Sequence, residues 1–163
     1  MQVVELWRLG KRIGRGKFVT IDTARVLLED EAVIRQMKAD AAKEGVTLTV
    51  VVGVRTFDEQ LAIRKRYVKD KTKENDRQFL LNAPVSEFSP MAARPGWSNH
   101  GHGNAFDFAV THNKKAYKWL IDNAHKYGMI RTVPSERWHW EQHPGEDRFS
   151  RVPRNHKTWD NLV

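Results

Sequence analysis

The sequence contains no cysteine. Disulfides are therefore excluded, as is any zinc site built on thiolates. With no thiol present, nothing in the chain speaks to its redox compartment. No apolar run approaches the roughly 20 residues that a membrane-spanning helix needs. The opening stretch MQVVELWRLGKRIGRGK lacks the continuous apolar segment and small-residue cleavage site of a secretory signal. Internal repeats and low-complexity segments are also missing, and the basic residues form no long uninterrupted run. The 163 residues are 40% hydrophobic, enough for one core, so a single domain over residues 1–163 is expected. The net charge is +8 and the pI about 9.9. Such a balance suits an anionic partner: nucleic acid, a membrane surface or an acidic cell-wall polymer. The densest basic cluster, from Arg64 to Lys73, alternates with acids and apolar residues and reads as a solvated helix face.

The stretch VTIDTARVLLEDEAVIRQMKADAAKEG, from Val19 to Gly45, predicts a helix. Asp22 or Thr23 would cap it, and Val33, Met37 and Ala41 recur on one face. Asp30 is a point where it could divide, and Gly45 would stop it. Val46 to Val54 is a β-branched run and predicts a buried strand. TFDEQLAIRKRYVKD returns to helical spacing, with Phe57, Leu61, Arg64 and Val68 along one side. Residues 71–97 carry Pro84, Pro90 and Pro95 and predict a long loop, of the kind that often forms a lid or binding segment. NAFDFAV alternates as a strand, NKKAYKWLIDNAHKYG reads as a helix ended by Gly128, and GMIRTV and RWHWEQ read as strands. Beyond Pro144 the chain is turn-rich, with Trp159 and Leu162 expected to pin it to the core. The fold class that results is α+β: a small, mostly antiparallel sheet with helices packed on it.

WSNHGHGNAFDF, from Trp97 to Phe108, puts two histidines beside an acid. His100 and Asp107 are an odd number of residues apart, so a single regular strand would point them to opposite faces. Gly101 and Gly103 between them permit the backbone turn that brings both together. A third partner lies in SERWHWEQH, where alternation puts His139 and Glu141 on one face and Trp138 and Trp140, expected to pack in the core, on the other. Two ring nitrogens and one carboxylate, with the fourth position left to water, is the donor set of a catalytic zinc site. Glu136, three residues before His139, is a carboxylate close enough to take the proton of a metal-activated water without ligating.

These residues carry a family resemblance. SNHGHGNAFD resembles the S-x-H-x-x-G-x-A-x-D signature of the D-alanyl-D-alanine-type metallopeptidases, through Ser98, His100, Gly103, Ala105 and Asp107. ERWH is similar to that group's E-x-W-H signature, through Glu136, Trp138 and His139. GVRTFDEQ resembles its upstream G-x-R-[ST]-x-x-x-Q segment, through Gly53, Arg55, Thr56 and Gln60. The three occur in the family's order. The wider group takes in lysostaphin-like enzymes, vancomycin-resistance peptidases, phage endolysins and the hedgehog signalling domain.

The resemblance implies a hedgehog/D-Ala-D-Ala peptidase-like fold and a zinc ion held by His100, Asp107 and His139. It implies Glu136 as general base and Arg55 as the group that binds the substrate carbonyl and stabilises its oxyanion. Ser98 and Gln60 would position substrate, and Trp138 would pack behind the metal. His102 and His143 are rival ligands outside the motif register, whereas His112, His125 and His156 read as surface residues. Three functions follow for weighing. The first is a zinc peptidase cleaving peptidoglycan stem peptides. Within it an endopeptidase is favoured over a D,D-carboxypeptidase or dipeptidase, because the chain is short and shows no wall-binding domain. The second is a noncatalytic zinc-binding relative. The third, a nucleic-acid module or histidine-metal nuclease, fits the charge but has no nucleic-acid motif behind it. The expected partners are the stem peptide and the anionic wall polymer, with no nucleic acid and no membrane span, for a monomer. The expected place of action is the periplasm or cell wall, reached through a holin or a secretion apparatus.

Overall fold

The computed structural model describes residues 2–142. Its first elements are a hairpin that no periodicity announces, β1 (Gln2–Arg8) and β2 (Lys11–Ile21). The turn is two residues, Leu9 and Gly10, at φ 49° and 77°. Two successive positive φ angles give the turn whose twist matches that of paired strands. β2 then pairs antiparallel with β3 (Ala24–Leu27) to complete a three-stranded sheet.

Residues 19–27 are therefore strand and turn, not the first third of a helix. The helix α1 runs Leu28–Lys43, and Ile34, Met37 and Ala41 are its buried residues. Asp22 caps nothing. It sits in the β2–β3 turn at φ 52°, a conformation that Asp tolerates better than most residues. From there its carboxylate accepts hydrogen bonds from Lys38 Nζ on α1 and from the Val50 backbone N–H. Alternation of Val19, Ile21, Ala24 and Val26 was the competing signal, and pairing with the hairpin made it win. Asp30 lies in the first turn of an unbroken α1. Burial, and then the charge of Glu29, push its pKa from the usual 3.8 up to about 7. A carboxyl whose folded pKa is raised stabilises the fold below its unfolded pKa and loses that contribution as pH climbs through the folded one. Asp30→Asn is accordingly expected to raise Tm by roughly 3–6 °C at pH 8, and the gain should vanish in a melt near pH 3 (roughly, below the unfolded pKa).

The second sheet has four strands in the order β4 (Val50–Val52), β5 (Ala105–Phe108), β7 (His139–Gln142), β6 (Met129–Arg131). Each of its pairings is antiparallel. α1 and α4 (Lys114–Asn123) share its core, where Ile34, Met37, Phe106, Phe108, Leu120 and Trp140 are almost completely buried. The expected strand over 46–54 shortens to β4. Gly53 ends it, because the backbone of β3 passes so close that a Cβ there would lie 2.0 Å from the Arg25 carbonyl oxygen.

α2 (Phe57–Tyr67) starts where its sequence predicts. Thr56 and Glu59 form a reciprocal capping box, at 3.1 and 3.0 Å. Its basic cluster is not wholly solvated: Lys65 and Arg66 are exposed, but Arg64 is fully buried. The Arg64 guanidinium donates to the carbonyls of Leu80, Ala83, Ala92 and Ala93 at 2.8–3.1 Å and lies 4.2 Å from the Phe88 ring centroid. Burial pushes its pKa down to about 10, which still leaves it charged at neutral pH. Those carbonyls belong to the segment expected to be a long loop, which instead contains α3 (Arg77–Asn82) and two single 3-10 turns. Arg64 is the post around which that segment folds. Arg64→Met would leave four carbonyls without their donor, at about 1–3 kcal/mol for each one that stays buried and unpaired. A loss of roughly 3–5 kcal/mol is expected in denaturant titration.

Candidate metal centre and active site

Asp107 on β5 and His139 on β7 are paired directly across the antiparallel ladder, so their side chains leave the sheet on the same face. His100 comes from a different element, a 3-10 turn over Asn99–His102. Ser98 caps that turn by accepting from the His100 N–H at 3.3 Å, and Gly103, at φ 81°, ends it. The turn reverses the chain, so His100 meets Asp107 despite their odd spacing. A Cβ on Gly103 would also strike Leu27, at 2.5 Å. From the other side, Gly10 N–H donates to the Gly96 carbonyl at 3.0 Å, and the Trp7 backbone lies against Gly101. The N-terminal hairpin thus braces the turn that carries His100.

The three side chains converge. His100 Nε2 and His139 Nδ1 each lie 3.2 Å from Asp107 Oδ1. One donor atom from each residue can be chosen so that all lie within 4.8 Å of one another. Both histidines are buried, and the Asp107 side chain is 14% exposed. The outer nitrogens are already engaged: His100 Nδ1 with the Gly53 carbonyl at 2.9 Å, and His139 Nε2 with Glu141 Oε1 at 3.3 Å. If each ring carries its proton on that outer nitrogen, two lone pairs and a carboxylate oxygen face one point. Asp107 Oδ1 is buried there without a well-formed hydrogen bond. Two ring nitrogens and a buried carboxylate oxygen are donors suited to a cation, so the set fits a metal ion. With protons alone to balance the charge, burial would lower the His139 pKa, but Asp107 and Glu141 outweigh it and raise it to about 9. Burial would raise the Asp107 pKa, but His100 and His139 outweigh it and hold the carboxyl well below its usual range. Among the described residues these three are the group that could hold a metal. His102 is outside it, as are His112 and His125, whereas His143 and His156 lie outside the described residues.

The centre opens into a cavity of about 500 Å³. Glu136 lies at its wall, 38% exposed, with Oε2 3.6 Å from His139 Nδ1. Arg55 also lines the cavity, with Nη2 3.9 Å from Asp107 Oδ2. Its Nη1 donates to Gln60 Oε1 at 3.1 Å, and Gln60 in turn donates to the Ala93 carbonyl at 2.8 Å. Gln60 therefore aims Arg55, and its own side chain is buried. Ser98 lines the cavity as well as capping its turn. Trp138 does not pack behind the metal position. β7 begins only at His139, so Trp138 precedes the strand, is 39% exposed and lines the cavity, while Trp140 is fully buried in the core. Glu141 faces the outer nitrogen of His139, away from Asp107. Burial would raise its pKa, but His139 and Asn99 outweigh it and push it down to about 2. Asn99 and Glu141 are members of the site that no motif flags, although Glu141 stands two residues along the strand from His139, on its face.

An α+β domain with a candidate two-histidine, one-aspartate metal centre on its sheet, open to a cavity, is the class that fold and site define together. Within that class the chain belongs to the D-alanyl-D-alanine carboxypeptidase family VanY, which it matches over residues 26–145. It is 30% identical over 104 residues to the D-alanyl-D-alanine carboxypeptidase of Enterococcus faecalis, covering 60% of this chain and 37% of that protein. It therefore spans about 37% of the length of the curated relatives it matches. Its fold is similar to that of VanYB in complex with D-alanine-D-alanine, with a TM-score of 0.58, 23% identity and 84% of each chain covered. It is also similar to the vancomycin-resistance D,D-pentapeptidase VanY in complex with Zn(II), with a TM-score of 0.55, 23% identity, and 85% and 78% covered. The expected fold class is borne out, and the family resemblance with it. No helix among the described residues is long and apolar enough to cross a membrane.

Proposed function

We propose that this chain is a zinc-dependent peptidase that hydrolyses peptide bonds in peptidoglycan stem peptides. One observation carries the reading: two histidine nitrogens and a carboxylate face a single point, with Glu136 3.6 Å from the His139 nitrogen and Arg55 3.9 Å from the Asp107 carboxylate. A zinc ion held by His100, Asp107 and His139 would supply Lewis acidity and make an attacking water easier to deprotonate. Glu136 takes the proton released in the attack and returns it to the leaving amine. Arg55, held by Gln60, donates to the oxygen of the scissile carbonyl as charge develops on it. Ser98 and the exposed indole of Trp138 bound the space where the substrate backbone would lie.

Two bonds remain in view. Removal of a C-terminal D-alanine is supported by the names of the family and its relatives. Cleavage inside the stem is supported by the cavity: Arg55 is the one Lys or Arg among its described lining residues. A free terminal carboxylate would have to share that cation with the developing oxyanion. Mass spectrometry of digested peptidoglycan separates the two. Loss of a terminal alanine identifies a carboxypeptidase, whereas release of an intact stem fragment identifies an endopeptidase. Unchanged peptidoglycan with zinc-loaded protein would overturn the proposal and leave a metal-binding relative. The net charge of +8 would favour contact with an anionic wall polymer, in keeping with action in the periplasm or wall.

Arg55→Lys tests the role of the guanidinium. Lysine keeps the charge but loses the planar fork that can donate to Gln60 and to substrate together. Zinc content and Tm should stay as they are while kcat falls by about 10²-fold, the cost of removing one oxyanion donor. Near-normal kcat would remove Arg55 from the reaction.

A further inference from the structure

We propose that Glu141, aimed by Asn99, is a positioning residue of the metal centre: it holds the His139 ring so that Nδ1 faces the metal position. This rests on the metal reading above and goes beyond it, because neither residue belongs to the donor set or to a signature motif. His139 and Glu141 are two apart on β7, and so share a face. Glu141 Oε1 lies 3.3 Å from His139 Nε2, on the side of the ring opposite Asp107. The carboxylate is almost fully buried, and a buried carboxylate persists only where it is paired or hydrogen-bonded. Asn99 Nδ2 donates to the same oxygen. That contact links the 3-10 turn carrying His100 to the strand carrying His139.

The two histidines differ in how their rings are set. His100 is held by a backbone carbonyl, that of Gly53, which no side-chain change can remove. His139 has a side-chain carboxylate in the equivalent place. An imidazole that donates its outer N–H to a carboxylate has its tautomer fixed, its free nitrogen turned to the metal, and its basicity raised. Ala105 makes room for the arrangement. It is fully buried and lies opposite Glu141 in register, two residues before Asp107 on the same face of β5.

The test is zinc affinity, measured by competition with a chromophoric chelator on protein whose fold is followed by circular dichroism. Glu141→Ala is expected to weaken zinc binding by about 10–100-fold. Glu141→Gln keeps an acceptor without its charge and should lose less. Asn99→Ala should weaken binding, and the Asn99→Ala/Glu141→Ala pair should be no worse than Glu141→Ala alone, because Asn99 acts through Glu141. A second readout is ¹H–¹⁵N NMR of the histidines in zinc-loaded wild type, which serves even if Glu141→Ala fails to fold. It should find the His139 proton on Nε2 and the metal on Nδ1. Folded Glu141→Ala that binds zinc as tightly as wild type overturns the proposal, as does a His139 that binds zinc through Nε2. A folded wild type that binds no zinc overturns the metal reading itself, a different result from either of these.

Discussion

Glu136→Gln is expected to bind zinc as the wild type does and to hydrolyse stem peptide about 10²–10⁴-fold more slowly. Glu136 is within reach of the metal position but outside the donor set, with Oε2 3.6 Å from His139 Nδ1. Its exposure of 38% keeps it in contact with the cavity, where substrate and water enter. The amide is nearly isosteric with the carboxylate, so the cavity keeps its shape, but the amide cannot accept the proton. Stability should barely change, since the side chain is partly exposed at the cavity wall and functional residues are rarely placed for stability. The measurement pairs zinc content with the rate of product release. Full zinc with an undiminished rate would place the base elsewhere, and Glu141 could not replace it from the far side of His139.

The largest effect is expected from Asp107. Asp107→Asn should lose zinc by more than the 10–100-fold that loss of a residue hydrogen-bonded to a ligand typically costs, and hydrolysis should fall to background. An amide oxygen offers the cation no compensating charge. Asp107 Oδ1 is also the atom on which both ring nitrogens converge, at 3.2 Å each, so its charge organises the set. His100→Ala and His139→Ala should fail in the same way. Metal analysis on purified, folded variants checks this, and full tight zinc in all three would dismiss the assignment.

What the sequence shows and what it hides divide along physical lines. The metal centre is legible because its chemistry needs particular residue types, and the motif register picks His100 over His102 without reference to packing. Helices α2 and α4 are legible because capping and apolar spacing are local: Thr56 with Glu59, and Asn113 accepting from the Ala116 N–H. The stretch 19–27 misleads because its strand character depends on a partner hairpin that has no strong signal of its own. A turn of Leu9 and Gly10 is not the usual Asn-Gly, so β1 and β2 pass unnoticed. Arg64 misleads for a similar reason. Its carbonyl partners lie 16–29 residues away, and nothing in the local alternation of charge marks one arginine of a basic cluster as buried. Trp138 looks like core because tryptophan usually is; its exposure follows from where β7 begins, which spacing does not fix. Asn99 and Glu141 stay invisible because what they do is expressed only in the contact between two distant segments. Trp159 and Leu162, expected to pin the tail to the core, lie outside the described residues.

The central claim is that one zinc ion, held by His100, Asp107 and His139, makes this chain a peptidase of stem peptides. The most direct measurement is the rate of product release from purified stem peptide by protein stripped with chelator and then titrated with zinc. The account predicts no hydrolysis by the stripped protein and recovery that saturates at one zinc per chain. Undiminished hydrolysis by protein shown to be free of metal would contradict it.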